Sequence, residues 1–424
     1  MAHSSEGIQI GISDGGVTIT RNGDTDFLLS SVSDTVVRNI QHVDDYLAVV
    51  RWEHLETVLY TFLLTNLDEK PSVTRFVPPR PLSIAIAADG RQLVAEDPAT
   101  EPSVFDIELG SMPKQLSVPS LLRITTVSTP AGSIPVQVGF AQDLASFLAD
   151  GFERVLVTAY AGFGICLPMS FDPSVYDWLK GSGAWAQIFA RGGGELGRDW
   201  HYAGAGAGSL AGADDILAVV RSLRATDTKR TISGYGFSHG ATQLLRAFLL
   251  DPTAFDSLAL WSPAVELCEP DDSWPQLWCD EYGDTSRPDE QAAMAKACPM
   301  AMLRRILEKS PRSLARCRIL ILSSTDDDRV SPAQIAEFSA LLSTAADVQF
   351  HQAEISGHAG LHDNAQSAAQ RKLLWDFLTE NPRAVSHDEE RPDTRAIAPT
   401  VPDSRLRSDS QGGAIVRDAR HGWL

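Results

Sequence analysis

The stretch Thr231-Ile232-Ser233-Gly234-Tyr235-Gly236-Phe237-Ser238-His239-Gly240-Ala241 decides how the rest of the chain is read. It contains Gly236-x-Ser238-x-Gly240, the pattern of a nucleophile elbow, in which a serine sits on a sharp turn between a strand and a helix with its hydroxyl exposed. Glycine is expected on both flanks because a side chain there would collide with the strand or the helix. The surroundings agree. Residues 230–235 read as a short apolar strand, and 241–250 (ATQLLRAFLL) as an apolar helix. The pattern alone arises by chance roughly one time in seven in a chain of this length, so an ordinary glycine turn has to be weighed against what stands elsewhere.

Two further pieces stand where such a turn would need them. Residues 318–323 (RILILS) form an apolar strand that runs into Thr325-Asp326-Asp327-Asp328-Arg329-Val330, which places carboxylates just past its carboxyl end. Ligands and catalytic groups gather at that edge of a parallel sheet. The next strand, 347–355, empties into Ser356-Gly357-His358-Ala359-Gly360, an imidazole on a loop of small residues. An acidic strand end is usually only a solvated turn, and a lone loop histidine is usually decoration. Serine, aspartate and histidine in that order, each at a strand end, match the order of an α/β-hydrolase.

Composition sets the limits. The chain has 424 residues and a formal charge of -19, which argues against nucleic-acid or anionic-membrane partners, since both need clustered Lys and Arg. Five cysteines (Cys166, Cys268, Cys279, Cys298, Cys317) show no C-x-x-C spacing, so neither a disulfide framework nor a zinc knuckle is expected. No basic start leads into an apolar run and no stretch approaches 18 apolar residues. The expectation is a soluble cytoplasmic protein with no metal and no cofactor.

From about residue 121 short apolar strands (123–128, 134–140, 154–159, 184–190, 257–261) alternate with helical patterns (174–181, 213–224, 299–308, 332–344, 364–379). That alternation predicts an α/β fold, a mostly parallel sheet covered by helices on both faces. Before it, residues 7–112 are β-rich, with turn signals such as Arg21-Asn22-Gly23-Asp24 between short alternating runs. A propeller blade of four strands takes about 40 to 50 residues, so two to three incomplete blades fit and no closed ring does. The predicted division is a β-rich segment over 1–120, a catalytic domain over 121–383 and a polar, disordered tail over 384–424.

Ala190-Arg191-Gly192-Gly193-Gly194-Glu195-Leu196-Gly197-Arg198-Asp199-Trp200-His201 resembles the arginine-glycine-glycine-glycine-glutamate block of the prolyl oligopeptidase family of serine peptidases. Tyr160-Ala161-Gly162-Phe163 is similar to that family's Tyr-Gly-Gly-Phe turn, Ala213-Asp214-Asp215 to its helix-opening Asp-Asp, and Asp327-Asp328-Arg329-Val330 to its aspartate loop. Trp278-Cys279-Asp280-Glu281-Tyr282-Gly283 resembles a stretch lining its proline pocket. The resemblance spans residues 121–379. It implies Ser238 as nucleophile, Asp327 as triad carboxylate, His358 as base, Tyr160 as oxyanion donor, Trp278 and Tyr282 as pocket walls and Arg329 as a clamp on a substrate carbonyl. Ala161 replaces the family's first glycine, and His239 stands where the family usually has asparagine. Since the backbone N–H of His239 would complete the oxyanion hole, that change is expected to be tolerated. Family members carry a complete seven-bladed propeller, which this chain has no room for.

The expected reaction is cleavage of a peptide or amide bond, preferably after proline, through an acyl-enzyme. An esterase or acyl transferase acting on a small metabolite is the alternative within enzymes, and a non-catalytic binding protein that retains the fold is the alternative outside them. Other motifs weigh less. The run Gly204 to Gly212 tempts a dinucleotide reading, but no strand leads into it. His358 and His362 stand four apart, yet Gly357 and Gly360 argue against a zinc-binding helix, and Asp326 to Asp328 lack a calcium loop around them. Unpaired blade edges predict that the amino-terminal segment packs along the catalytic domain or forms a homodimer.

Overall fold

The computed structural model describes residues 3–5, 8–13, 15–21, 24–129, 132–139, 153–181, 183–226, 229–268, 276–284, 286–310, 314–358 and 364–380. The expected disorder of the tail over 384–424, and His362, therefore lie outside the described residues.

The first strands form three small sheets. β1 (His3–Ser5), β2 (Ile8–Ser13), β3 (Gly16–Arg21) and β4 (Asp24–Leu29) make an antiparallel meander. β5 (Thr35–Val43), β6 (Tyr46–Glu53), β7 (Glu56–Leu63) and β8 (Ser72–Val77) make a second. β9 (Ser83–Ile86), β10 (Gln92–Asp97) and β11 (Thr100–Asp106) make a third, and β12 (Gln115–Ser117) returns to pair in parallel with β8. These are three propeller-like blades, of four, five and three strands. A buried ion pair locks the last two together: Arg80 and Asp97 are both fully buried at 3.0 Å, and the guanidinium also donates to the carbonyls of Pro78, Val118 and Pro119. With its donors satisfied, the pair avoids the cost of an unpartnered buried charge.

The remainder is an α/β-hydrolase fold built on an eight-stranded sheet of order β13-β14-β16-β15-β17-β18-β19-β20. Its strands are β13 (Leu122–Thr129), β14 (Gly132–Gly139), β15 (Arg154–Ala159), β16 (Ala184–Ile188), β17 (Thr231–Phe237), β18 (Ser257–Trp261), β19 (Arg318–Asp326) and β20 (Asp347–Ser356). From β16 to β20 every neighbouring pair is parallel. The central strands alternate between two buried faces. Val155, Val157 and Ala159 of β15 face one core with Ile232, Leu258 and Ile319, whereas Leu156 faces the other with Trp185, Tyr235 and Leu320. On the first face lie α3 (Ala211–Thr226), α4 (His239–Leu250), α7 (Pro299–Lys309) and α8 (Pro332–Leu342); on the second lie α1 (Pro173–Gly181) and α9 (Asn364–Thr379).

Three helices carry too little apolar periodicity to show in the sequence: α2 (Arg198–Tyr202), α5 (Gln276–Tyr282) and α6 (Pro288–Ala297). The last was marked in another way, by proline in its first turn followed by Asp289 and Glu290, the arrangement a helix amino terminus favours.

The second and third amino-terminal sheets are seated on the α/β unit. Trp52 and Leu55 are buried against Met169 and Phe189, each large side chain contributing roughly 1.5–3 kcal/mol by leaving water. The Pro98 carbonyl accepts from the Asp172 N–H at 3.0 Å. Among the described residues all five cysteines are free, and no helix is long and apolar enough to cross a membrane.

Candidate active site

Strand β17 ends at Phe237 and α4 begins at His239, so Ser238 takes the whole of the turn, at φ 53°, ψ -125°. Few side chains adopt that left-handed backbone without strain. The crowding explains both glycines. A Cβ on Gly236 would lie 2.6 Å from the Ala241 nitrogen, and one on Gly240 would lie 2.3 Å from the Ala159 carbonyl. The Ser238 N–H donates to the Trp261 carbonyl at 2.7 Å, which pins the turn to β18.

Asp327 and His358 meet beyond the ends of β19 and β20. His358 Nδ1 is 2.9 and 2.8 Å from the two carboxylate oxygens, and the side chains are 0% and 3% exposed. Burial works to raise the Asp327 carboxyl. The hydrogen bond and charge of His358, helped by the N–H groups of Val330 and Arg329, outweigh it and hold the carboxyl below its ordinary value. Asp326 and Asp328 are exposed at either side. The pairing of β19 with β20 shifts between Ser324 and Asp326, a bulge of the kind that re-aims side chains near sites, and Asp326 accepts from the Gly357 N–H at 3.1 Å. His358 Nε2 is buried with no hydrogen-bond partner among the described residues, and the ring packs on Phe237 at 5.1 Å.

Tyr160 follows β15, with its hydroxyl near the Ser238 side chain. Burial raises its phenol, against the pull of Ser238 and of the Arg329 charge, so the hydroxyl keeps its proton at neutral pH and is available as a donor. His239 opens α4, where the first N–H groups have no partner within the helix. Its side chain is turned away from that N–H. Nδ1 lies 2.9 Å from the Tyr282 hydroxyl, and Nε2 lies 3.1 Å from the Ala161 carbonyl and 3.0 Å from the Gln243 amide nitrogen. Burial, with the charge of Arg246, pushes this imidazole down to about 3, so it is neutral. It props the turn that carries Tyr160, in which Ala161 and Phe163 both take positive φ of 56°.

The other residues singled out in the sequence divide by exposure. Tyr282 is buried at 3% exposure with its hydroxyl on His239; its ring meets Phe163 edge-on at 5.7 Å and Trp278 at 5.7 Å. Trp278 is half-buried and Arg329 is exposed. Phe163, which sequence reasoning did not assign, joins this aromatic group. Arg191 forms a bidentate pair with Asp215, and His201 meets Glu281 at 2.9 Å. The arginine-glycine block thus holds the turn's neighbourhood together through the Arg191–Asp215 ion pair and the His201–Glu281 contact.

The prolyl oligopeptidase family profile matches residues 169–383, just over half of the chain. An uncharacterized peptidase of Sinorhizobium fredii is 27% identical over 229 residues, which are 53% of this chain and 31% of that protein. Prolyl oligopeptidase A of Galerina marginata is 25% identical over 247 residues, 55% of this chain and 32% of that protein. The matched part is therefore about a third of the length of these curated relatives. Among solved structures, a post-proline cleaving enzyme from Rickettsia typhi superposes with TM-score 0.72 at 19% identity, covering 86% of this chain and 55% of the other. Oligopeptidase B from Leishmania major gives 0.69 at 16%, covering 88% and 58%. With its elbow, its paired Asp327 and His358 and this profile match in hand, the chain belongs to the prolyl oligopeptidase family.

Proposed function

We propose that this chain is a serine peptidase that cleaves peptide bonds, preferably on the carboxyl side of proline, with residues 121–383 as its catalytic unit. The observation that carries the reading is the buried, two-oxygen contact of Asp327 with His358 Nδ1 beside a strained Ser238. Asp327 holds the imidazole so that Nε2 presents its lone pair. That nitrogen has no partner among the described residues, and the Ser238 side chain lies near the Tyr160 hydroxyl. With a substrate carbonyl on the Tyr160 hydroxyl, Ser238 hands its proton to His358 as Oγ attacks. The oxyanion then lies between the Tyr160 hydroxyl and the His239 N–H, each donor contributing about 3–4 kcal/mol. His358 returns the proton to the leaving nitrogen, and water repeats the cycle on the acyl-enzyme. Labelling of Ser238 by a fluorophosphonate, followed by turnover of proline-containing peptide amides beside simple esters, tests the proposal; labelling without peptide turnover would favour the esterase.

For specificity, the half-buried Trp278 offers a flat face suited to a proline ring, and Arg329 offers a fork to a carbonyl. Trp278→Ala is expected to weaken proline substrates by about 1–3 kcal/mol in kcat/KM while sparing small esters. Equal losses on both would make the tryptophan structural. Arg329→Lys should cost activity on peptides as well, since an ammonium does not reproduce the fork.

For the amino-terminal segment we propose a two-fold dimer. β4 is an edge strand with Phe27 81% exposed, a surface soluble proteins usually cover. Sedimentation should give twice the chain mass, with Phe27→Lys returning a monomer; a wild-type monomer removes the idea.

A further inference from the structure

Three ligand-type side chains from two parts of the chain meet beside α7. Cys298 is the single residue between α6 and α7, and it stands at the amino end of α7, an 11-residue helix. Glu266 and Cys268 belong to the segment that follows β18. Cys298 Sγ lies 3.3 Å from Glu266 Oε1, and with the Cys268 Sγ these atoms all fall within 4.8 Å of one another. Cys298 is buried and the other two are half-buried, so the group is closed on its inner side and reached from its outer one. No C-x-x-C spacing announces it, because the two cysteines meet only through the fold.

The surroundings favour an ionised sulfur. The Leu267 N–H donates to Cys298 Sγ at 3.4 Å, and a helix amino terminus leaves its first N–H groups without partners inside the helix. The neighbouring Cys268 sulfur and the N–H groups of Ala301 and Leu267 hold the Cys298 thiol below its ordinary value, against burial and the Glu266 charge. A sulfur of that character beside a carboxylate is a surplus of negative charge in a partly dry place, and a cation offsets it. The Cys268 N–H donates to Glu266 Oε1 at 2.8 Å, which keeps the carboxylate turned toward the group.

Around a tetrahedral zinc ion, bound by sulfur at about 2.3 Å and by oxygen at about 2.0–2.2 Å, the ligand atoms stand about 3.5–3.8 Å apart. The Cys298 and Glu266 atoms already have nearly that spacing, and the Cys268 sulfur is within reach of both. Two sulfurs select against magnesium and calcium, which take oxygen ligands. We propose that Glu266, Cys268 and Cys298 form a binding site for a zinc-type divalent ion, with water as the fourth ligand. The residues between the two cysteines include α5, which carries Trp278 and Tyr282. An ion held from both ends closes that excursion and steadies it. The site does not depend on the peptidase reading, since none of its three ligands belongs to the catalytic groups.

The test uses the full chain, reduced and stripped of metal by a chelator. Titration with Co²⁺ should give a thiolate-to-cobalt charge-transfer band and the visible bands of a tetrahedral ion, saturating at one ion per chain, and Zn²⁺ should displace the cobalt. Cys268→Ser and Cys298→Ser should each abolish the charge-transfer signal of the pair and weaken Zn²⁺ binding about a hundredfold or more, read by competition with a chromophoric chelator, since even the partners of metal ligands are typically worth about 10–100-fold. Glu266→Gln should weaken binding about tenfold and keep the sulfur band, while Cys166→Ser should bind as wild type does. Cys298→Ser retains a hydroxyl suited to the start of α7, and if it fails to fold, the half-buried Cys268→Ser carries the test. No band at millimolar cobalt, or a band that survives Cys268→Ser, would overturn the proposal. So would a Cys268–Cys298 disulfide in the untreated protein with no cobalt uptake after reduction, which would make the pair a redox couple. Zinc should also slow amide exchange across α5 in wild type and leave it unchanged in Cys268→Ser; binding without that change would overturn the clamping role.

Discussion

Replacing Ser238 or His358 by alanine is expected to lower turnover by about a million-fold each, with the double replacement little worse than either, because the groups act as a unit. The His358 result has a specific structural ground. Its Nδ1 is fully engaged by the carboxylate, so of its two ring nitrogens only Nε2 is open to take the proton. Single-turnover kinetics on a proline amide, with the folded state checked by circular dichroism, reads the effect. Near-normal rates in either single variant would remove the assignment.

Asp327→Asn is expected to cost about 10⁴-fold in kcat, the loss that follows when the partner of the histidine no longer fixes its tautomer. Asp326→Asn and Asp328→Asn should fall within a few-fold of wild type, since both side chains are exposed while that of Asp327 is fully buried against the imidazole. The change also bears on stability. The native carboxyl lies below its ordinary value, so its contribution is present above the unfolded pKa and is lost as pH falls through the folded one. Acid unfolding of Asp327→Asn should accordingly be less steep than that of wild type below about pH 4. If Asp328→Asn proved the damaging variant, the aspartate loop would be in the wrong register by one residue.

The elbow and the order of the three groups were legible because they rest on short-range signals. Two glycines around a serine, an apolar strand running into carboxylates, and a histidine on a loop of small residues each lie within a few positions. The bounds of β15 and β18 follow from runs of apolar residues closed by polar ones, and agree with the structure to the residue. What lay hidden depends on which strands are neighbours. Nothing near Tyr282 announces that its hydroxyl meets His239. Gln137, Thr158, Gln187 and Tyr235 are scattered until the register aligns them. The bulge between β19 and β20 is likewise a relation between strands, invisible in either one.

β20 is one edge strand of the sheet, paired among the described residues with β19 alone, and it is the strand that delivers His358. A nascent chain leaves the ribosome amino end first, so Ser238 and its helix can fold well before the imidazole is synthesised. During that interval the elbow holds a serine without a base, which is a weak nucleophile. Under the proposed mechanism the proton acceptor is the last of the three groups to be synthesised, so Ser238 gains its base only once β20 has been made.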